Sequence, residues 1–145
     1  MASQLSDARR RPAHVLIVDD NQSNQCVAAA ICQVLGLTCE SVLNGREAIA
    51  AAETGRFDLV LMDICMPDMD GVEAALHIRE LGSKTAGLPI LAVTANAESK
   101  DRARYLAAGM CAVVSKPIEI PLLYQAMERA LAQGPCALLT WTAQG

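Results

Sequence analysis

Five short apolar runs rich in β-branched residues punctuate the chain, at Val15 to Val18, Thr38 to Leu43, Leu59 to Met62, Ile90 to Val93 and Ala112 to Val114. Runs of this length between turn formers predict strands. The intervening segments have helical spacing instead. Val27, Ile31, Val34 and Leu35 fall on one helical face, as do Val72, Ala75 and Leu76, and later Leu122, Leu123, Ala126, Met127 and Ala130. A surface helix buries such a stripe against a core. Gly36, Gly55, Gly82, Gly109 and Gly134 each follow a helical segment, where a left-handed cap favours glycine. Starts are marked as well. Asn44 with Glu47, and Asp70 with Glu73, have the spacing of an N-cap whose third helical residue reaches back, and Pro121 suits a first helical turn. Alternation of strand and helix, repeated five times, predicts an α/β domain: a parallel sheet with right-handed crossovers and helices on both faces.

The domain is expected over residues 12–133, with a flexible N-terminal arm at 1–11 and a C-terminal tail at 134–145. The tail carries Ala137, Leu138, Leu139 and Trp141 and reads as a loosely packed end. Composition sharpens the picture of the interior. Hydrophobic residues make up 52% of the chain, yet it has only one Phe, two Tyr and one Trp, so the core is aliphatic, as parallel strands covered on both faces require.

A formal charge of −4 argues against a nucleic-acid surface. The basic run Arg9, Arg10 and Arg11 reads as a solvated arm ahead of the first strand. No apolar stretch is long enough to span a bilayer, and the chain meets Asp19 and Asp20 four apolar positions into its first strand, so neither signal peptide nor membrane insertion is expected and the location is cytoplasmic. The cysteines at 26, 32, 39, 65, 111 and 136 lack Cys-x-x-Cys spacing and nearby His partners. They read as reduced thiols filling apolar space.

In open parallel sheets, ligands bind beyond the carboxyl ends of the strands. The residues there are Asp19 and Asp20 after the first strand, Asp63 after the third, Thr94 after the fourth and Lys116 after the fifth. Three crowded carboxylates repel one another, so they call for a hard divalent cation, and Mg²⁺ suits a few carboxylates plus waters. Its open positions would take phosphate oxygens, with Lys116 as a compact positive charge and the Thr94 hydroxyl as a hydrogen-bond donor. A carboxylate can itself attack phosphorus to form an aspartyl phosphate. Asp63 is the candidate nucleophile, because the pair at 19 and 20 is better suited to holding the cation.

The segments HVLIVDDN around the acidic pair, LVLMDICMPDMDG around Asp63, ILAVTANA with Thr94 and VVSKPI with Lys116 and Pro117 cover nearly the whole chain in order and spacing. Together they resemble the receiver domain of response regulators and of hybrid histidine kinases. That resemblance implies a doubly wound, flavodoxin-like (βα)5 fold with strand order 2-1-3-4-5. It implies Asp63 as phosphoacceptor, Thr94 and Lys116 as catalytic groups, and Mg²⁺, with Mn²⁺ as a substitute, held by Asp20, Asp63 and the backbone carbonyl of Cys65 with Asp19 assisting. The phosphoryl group would come from a histidine kinase or a histidine phosphotransfer protein. The Lys116-Pro117 bond is a candidate cis peptide. The output is expected as a population shift of the surface made by the fourth helix, fifth strand and fifth helix, read by a downstream protein partner. Such a protein is a phosphoacceptor, catalysing only its own phosphorylation and dephosphorylation. Met1 and the short tails point to a stand-alone receiver without an output domain.

One position departs from the family pattern. Three residues before the lysine the family usually has Tyr or Phe, which swings inward as the threonine moves; here it is Val113, whose β-branched side chain cannot make that swing. Tyr105, on the preceding helix, is either a substitute relay or a packing residue. Among the other features, Asp68 to Gly71 superficially resembles a calcium loop but lacks the acids it needs at Met66 and His77, so Asp70 reads as a helix cap. Cys65 reads as a rim side chain, and His14 and His77 as surface or boundary residues. Two alternatives remain. An aspartate-nucleophile phosphohydrolase wants a second acid two residues after the nucleophile, where this chain has Cys65. A binding module that signals without phosphate is kept open by Val113.

Overall fold

A computed structural model describes residues 13–66, 69–82, 87–95, 99–116 and 118–133. Strands β1 (His14–Val18), β2 (Thr38–Val42), β3 (Leu59–Asp63), β4 (Ile90–Thr94) and β5 (Ala112–Ser115) alternate with helices α1 (Gln22–Val34), α2 (Gly45–Glu53), α3 (Gly71–Glu80), α4 (Ser99–Ala107) and α5 (Ile120–Gln133). All strand pairings are parallel, in the order β2-β1-β3-β4-β5. This is the expected doubly wound arrangement. The arm, the tail, the Gly134 cap and the Pro117 side of the candidate cis bond lie outside the described residues.

The pleat explains why the inner strands read as unbroken apolar runs. Val15 and Ile17 of β1, Leu59 and Leu61 of β3, Leu91 and Val93 of β4, and Ala112 and Val114 of β5 pack in one cluster with α1 and α5. The alternate residues Leu16, Val18, Val60, Met62, Ile90, Ala92 and Val113 pack in a second cluster with α2, α3 and α4. Both sheet faces are therefore buried. Only the edge strand β2 is half-exposed.

The helix signals hold with two adjustments. Asp70 and Glu73 form a reciprocal capping box at the start of α3. At α2 the Asn44 side chain accepts from the Glu47 N–H at 2.9 Å, but the Glu47 carboxylate takes the N–H of Leu43, one residue earlier than expected. Gly36, Gly55, Gly82 and Gly109 all adopt positive φ. The stripe on α1 is the second adjustment. Its buried residues are Ala28, Ile31 and Cys32, followed by Leu35, whereas Val27 is 51% and Val34 71% exposed. Small Ala28 and Cys32 let the helix lie close to the sheet, which turns the two valines outward. Leu76 and Leu122 likewise face outward from α3 and α5. Cys26, Cys32, Cys39 and Cys65 are free thiols, and burial pushes Cys32 up to about 12. Cys111 departs from the expected reduced set, being disulfide-bonded.

Gly71, the first residue of α3, sits against the end of β3. Its N–H donates to the Ile64 carbonyl at 3.0 Å, and a Cβ there would come within 2.6 Å of the Asp63 carbonyl oxygen. Backbone cannot yield as a flexible side chain can, so Gly71→Ala is expected to cost about 1–3 kcal/mol, in the range of overpacking. A urea midpoint equal to wild type would show that helix and strand end are not in such close contact.

Candidate functional site

Among the described residues, the buried polar or charged side chains are Asp19 at 6% exposure, Asp63 at 4% and Thr94 at 2%. All three stand at the carboxyl ends of strands β1, β3 and β4. Polar groups are buried at a cost unless something pairs with them, so their concentration at one edge marks a site rather than a fold requirement.

The backbone sets each group. Asp19 leaves β1 with its N–H bonded to the Val42 carbonyl at 3.2 Å, and its carboxylate accepts from the Asn21 N–H at 2.9 Å. Asn21 in turn caps α1. Asp20 follows with an exposed side chain. Asp63 closes β3, and its Oδ1 accepts from the Cys65 N–H at 3.3 Å and from Lys116 Nζ at 3.2 Å. Lys116 Nζ also lies 3.8 Å from Asp19 Oδ2. The Lys116 N–H donates to the Thr94 carbonyl at 2.9 Å, which fixes the lysine beside the end of β4.

One oxygen from each of Asp19, Asp20 and Asp63 lies within 4.8 Å of the others. Burial, and next the charge on Asp19, push the Asp63 carboxyl above the ordinary 3.8, while Lys116 and the Cys65 N–H pull it down. The Lys116 ammonium lies within 4 Å of two of these three carboxylates, Asp19 and Asp63. A set of hard oxygen donors with excess negative charge and an open side fits a hard divalent cation that keeps some of its waters.

The structure thus brings together Asp19, Asp20, Asp63, Thr94 and Lys116, with Cys65 exposed at the rim. It does not bring His14 or His77 there. The His14 ring contacts Thr38 Oγ1 at 2.7 Å and Glu40 Oε2 at 2.8 Å at the opposite end of β1, stacked on Phe57, and His77 is exposed on α3. Val113 and Tyr105 lie in one cluster beneath α4, at 9% and 2% exposure. Tyr105 is therefore a packed core side chain.

Sequence reasoning missed Gln25. Its side-chain amide donates to the carbonyls of Asp19 and Val42, both at 2.8 Å. The available signal was a polar residue in the register of the inward stripe at 28, 32 and 35.

Residues 15–128 match the family described as the response regulator receiver domain. The chain belongs to that family. This receiver domain is 38% identical over 134 residues to the sensor histidine kinase GacS of Pseudomonas protegens, covering 91% of this chain and 13% of that kinase's length. It resembles the receiver domain of a Pseudomonas aeruginosa sensor histidine kinase solved with magnesium in its active-site cleft: TM-score 0.76, 36% identity, 83% of this chain and 98% of that one. A chain from the co-crystal structure of the Saccharomyces cerevisiae phosphotransfer protein Ypd1 and the receiver domain of Ssk1 matches with TM-score 0.77 and 26% identity, over 85% of this chain and 91% of that one. The receiver is thus a signalling domain of two-component systems.

A raised carboxyl pKa in the folded receiver means that the native state holds this proton more tightly than the unfolded chain. Stability is consequently lost as pH rises from the ordinary value through the raised one, and it stays lost at neutral pH. In metal-free buffer at pH 7, Asp63→Asn is expected to raise the urea midpoint above wild type, with the gain shrinking below about pH 4, where both forms are neutral in either state. A variant less stable than wild type at pH 7 would contradict the sign of that shift.

Proposed function

We propose that this receiver accepts a phosphoryl group from a phosphohistidine onto the carboxylate of Asp63, in a Mg²⁺-dependent reaction, and that uptake changes its partner-binding surface. The observation that carries the reading is Asp63 itself: buried, one of three carboxylates gathered within 4.8 Å, and touched at 3.2 Å by the lysine that follows β5.

In the reaction an Asp63 oxygen bonds to phosphorus as the P–N bond to the donor imidazole breaks, and the bonding pair stays on the imidazole nitrogen. When bound by Asp20, Asp63 and the Cys65 carbonyl, with Asp19 assisting, Mg²⁺ (or Mn²⁺) supplies positive charge to the phosphoryl oxygens. Lys116 neutralises a further oxygen from the β5 side, leaving Asp63 Oδ1 as it does so. Thr94 donates its hydroxyl to another. No general base is needed, because the nucleophile is already a carboxylate. Magnesium in the cleft of the Pseudomonas aeruginosa receiver supports this choice of cation, and the Ypd1–Ssk1 complex supports a histidine phosphotransfer protein or a histidine kinase as donor.

Residues 12–133 form the working unit in this reading, and a downstream protein reads the face of α4, β5 and α5. No described helix is long and apolar enough to cross a membrane, and the reading needs no insertion in one. The phosphohydrolase alternative still lacks an acid at Cys65. Phosphate-independent binding is favoured by one observation, the buried Val113 where an aromatic switch would stand.

Intact mass after incubation with a small-molecule phosphodonor separates these readings. A single phosphoryl adduct is expected in wild type with Mg²⁺, and none in Asp63→Asn or without the metal; an adduct of equal yield in Asp63→Asn would remove Asp63 as the acceptor. Lys116→Ala is expected to retain the metal site but to weaken phosphorylation-dependent partner binding about tenfold, or 1.4 kcal/mol. Equal partner affinity in the two proteins would take Lys116 out of the switch.

A further inference from the structure

The carboxylate of Asp20 accepts no hydrogen bond from any described residue, although it is one of the three acids gathered at the strand ends. Asp19 and Asp63 are different, since Asn21, Cys65 and Lys116 hold their carboxylates directly. Asp20 must therefore be aimed through its backbone. The peptide plane that carries it runs from the Asp19 carbonyl to the Asp20 nitrogen, and any rotation of that plane swings the Asp20 side chain.

Gln25 fixes that plane. The two hydrogens of its Nε2 match two carbonyls, Asp19 and Val42, each at 2.8 Å. The Val42 carbonyl also takes the Asp19 N–H at 3.2 Å, so the ends of β1 and β2 and the second turn of α1 are joined at one oxygen. Asp19 is then held at its N–H, at its carboxylate and at its carbonyl. Without the last of these contacts, repulsion from Asp19 and Asp63 has an easy outlet. Asp20 is exposed and can rotate into solvent.

We infer that Gln25 is a positioning residue for the cation: from α1 it holds the Asp19–Asp20 peptide so that the Asp20 carboxylate stays beside those of Asp19 and Asp63. The inference rests on the magnesium-dependent reading above. It gives α1 a part in the chemistry of the site beyond covering the sheet. Groups that orient a ligand without touching the metal typically change metal affinity 10–100-fold when removed, and the same range is expected here.

The test is calorimetric titration of Mg²⁺ into the full chain, in wild type, Gln25→Met, Gln25→Ala and a control, Gln33→Met, on the exposed side of the same helix. Circular dichroism establishes that each is folded at the titration temperature. The expected result is a dissociation constant weaker by roughly tenfold or more in the folded Gln25 variants, with Gln33→Met at the wild-type value. A purely structural role would lower the melting temperature and leave the affinity of the folded protein alone. Wild-type affinity in a folded Gln25 variant overturns the inference while leaving the magnesium reading intact. Failure of both Gln25 variants to fold overturns it too, by assigning the residue to the fold. Absence of Mg²⁺ binding in wild type overturns the magnesium reading itself, and the inference with it.

Discussion

The contact between Lys116 and Asp63 joins the last strand of the sheet to its centre, and the rest of the site depends on it. Asp19 and Asp63 are almost wholly buried, and two carboxylates in that situation repel each other while losing water. Lys116 Nζ lies within 4 Å of both. Its reach is set by β4, which lies between β3 and β5, pairing Asp63 with Val93 and Thr94 with Ser115. A one-residue slip of β5 would carry the lysine to the wrong face. Register is therefore part of the electrostatics.

Holding that register falls to an almost purely aliphatic interior. Four strands alternate their side chains between two packed clusters, and each cluster is closed by helices that meet the sheet through Ala, Ile, Leu, Met and Cys. Among the described residues Phe57 and Tyr105 are the buried aromatic exceptions, and the second is informative. Tyr105 lies in the same cluster as Val113 and Ala92, so an outward movement of α4 must lift a fully packed ring from its neighbours. Val113 offers one restricted rotamer instead of a swinging ring. Motion at this face is consequently tied to helix displacement more than to a side-chain flip.

Much of this was legible in the sequence, for physical reasons. Strands buried on both faces appear as continuous apolar runs, and polar residues directly after such runs, like Asp63 after Met62, stand out. The caps at Asn44 and Asp70 were legible because side chains make them. Errors arose where size mattered more than hydrophobicity, as on α1, where Ala28 and Cys32 take the inward positions and Val27 and Val34 the outward ones. Gln25 was hidden for another reason. Its partners are backbone carbonyls, which look the same whatever residue carries them. Likewise, nothing in the spacing of the cysteines marked Cys111 for a disulfide.

The site is assembled from segments far apart along the chain: Lys116 meets Asp63 from 53 positions away, and Asp19 belongs to the first strand. During synthesis the acidic pair leaves the ribosome long before the lysine that neutralises it. A partly made chain can form its first βα units and carry all three acids, but it lacks the ammonium that faces Asp19 and Asp63. Contacts of such long range form late and cooperatively. The paired state of Asp19 and Asp63 is in this sense a mark of completed folding, because the ammonium that faces both arrives only after the last strand.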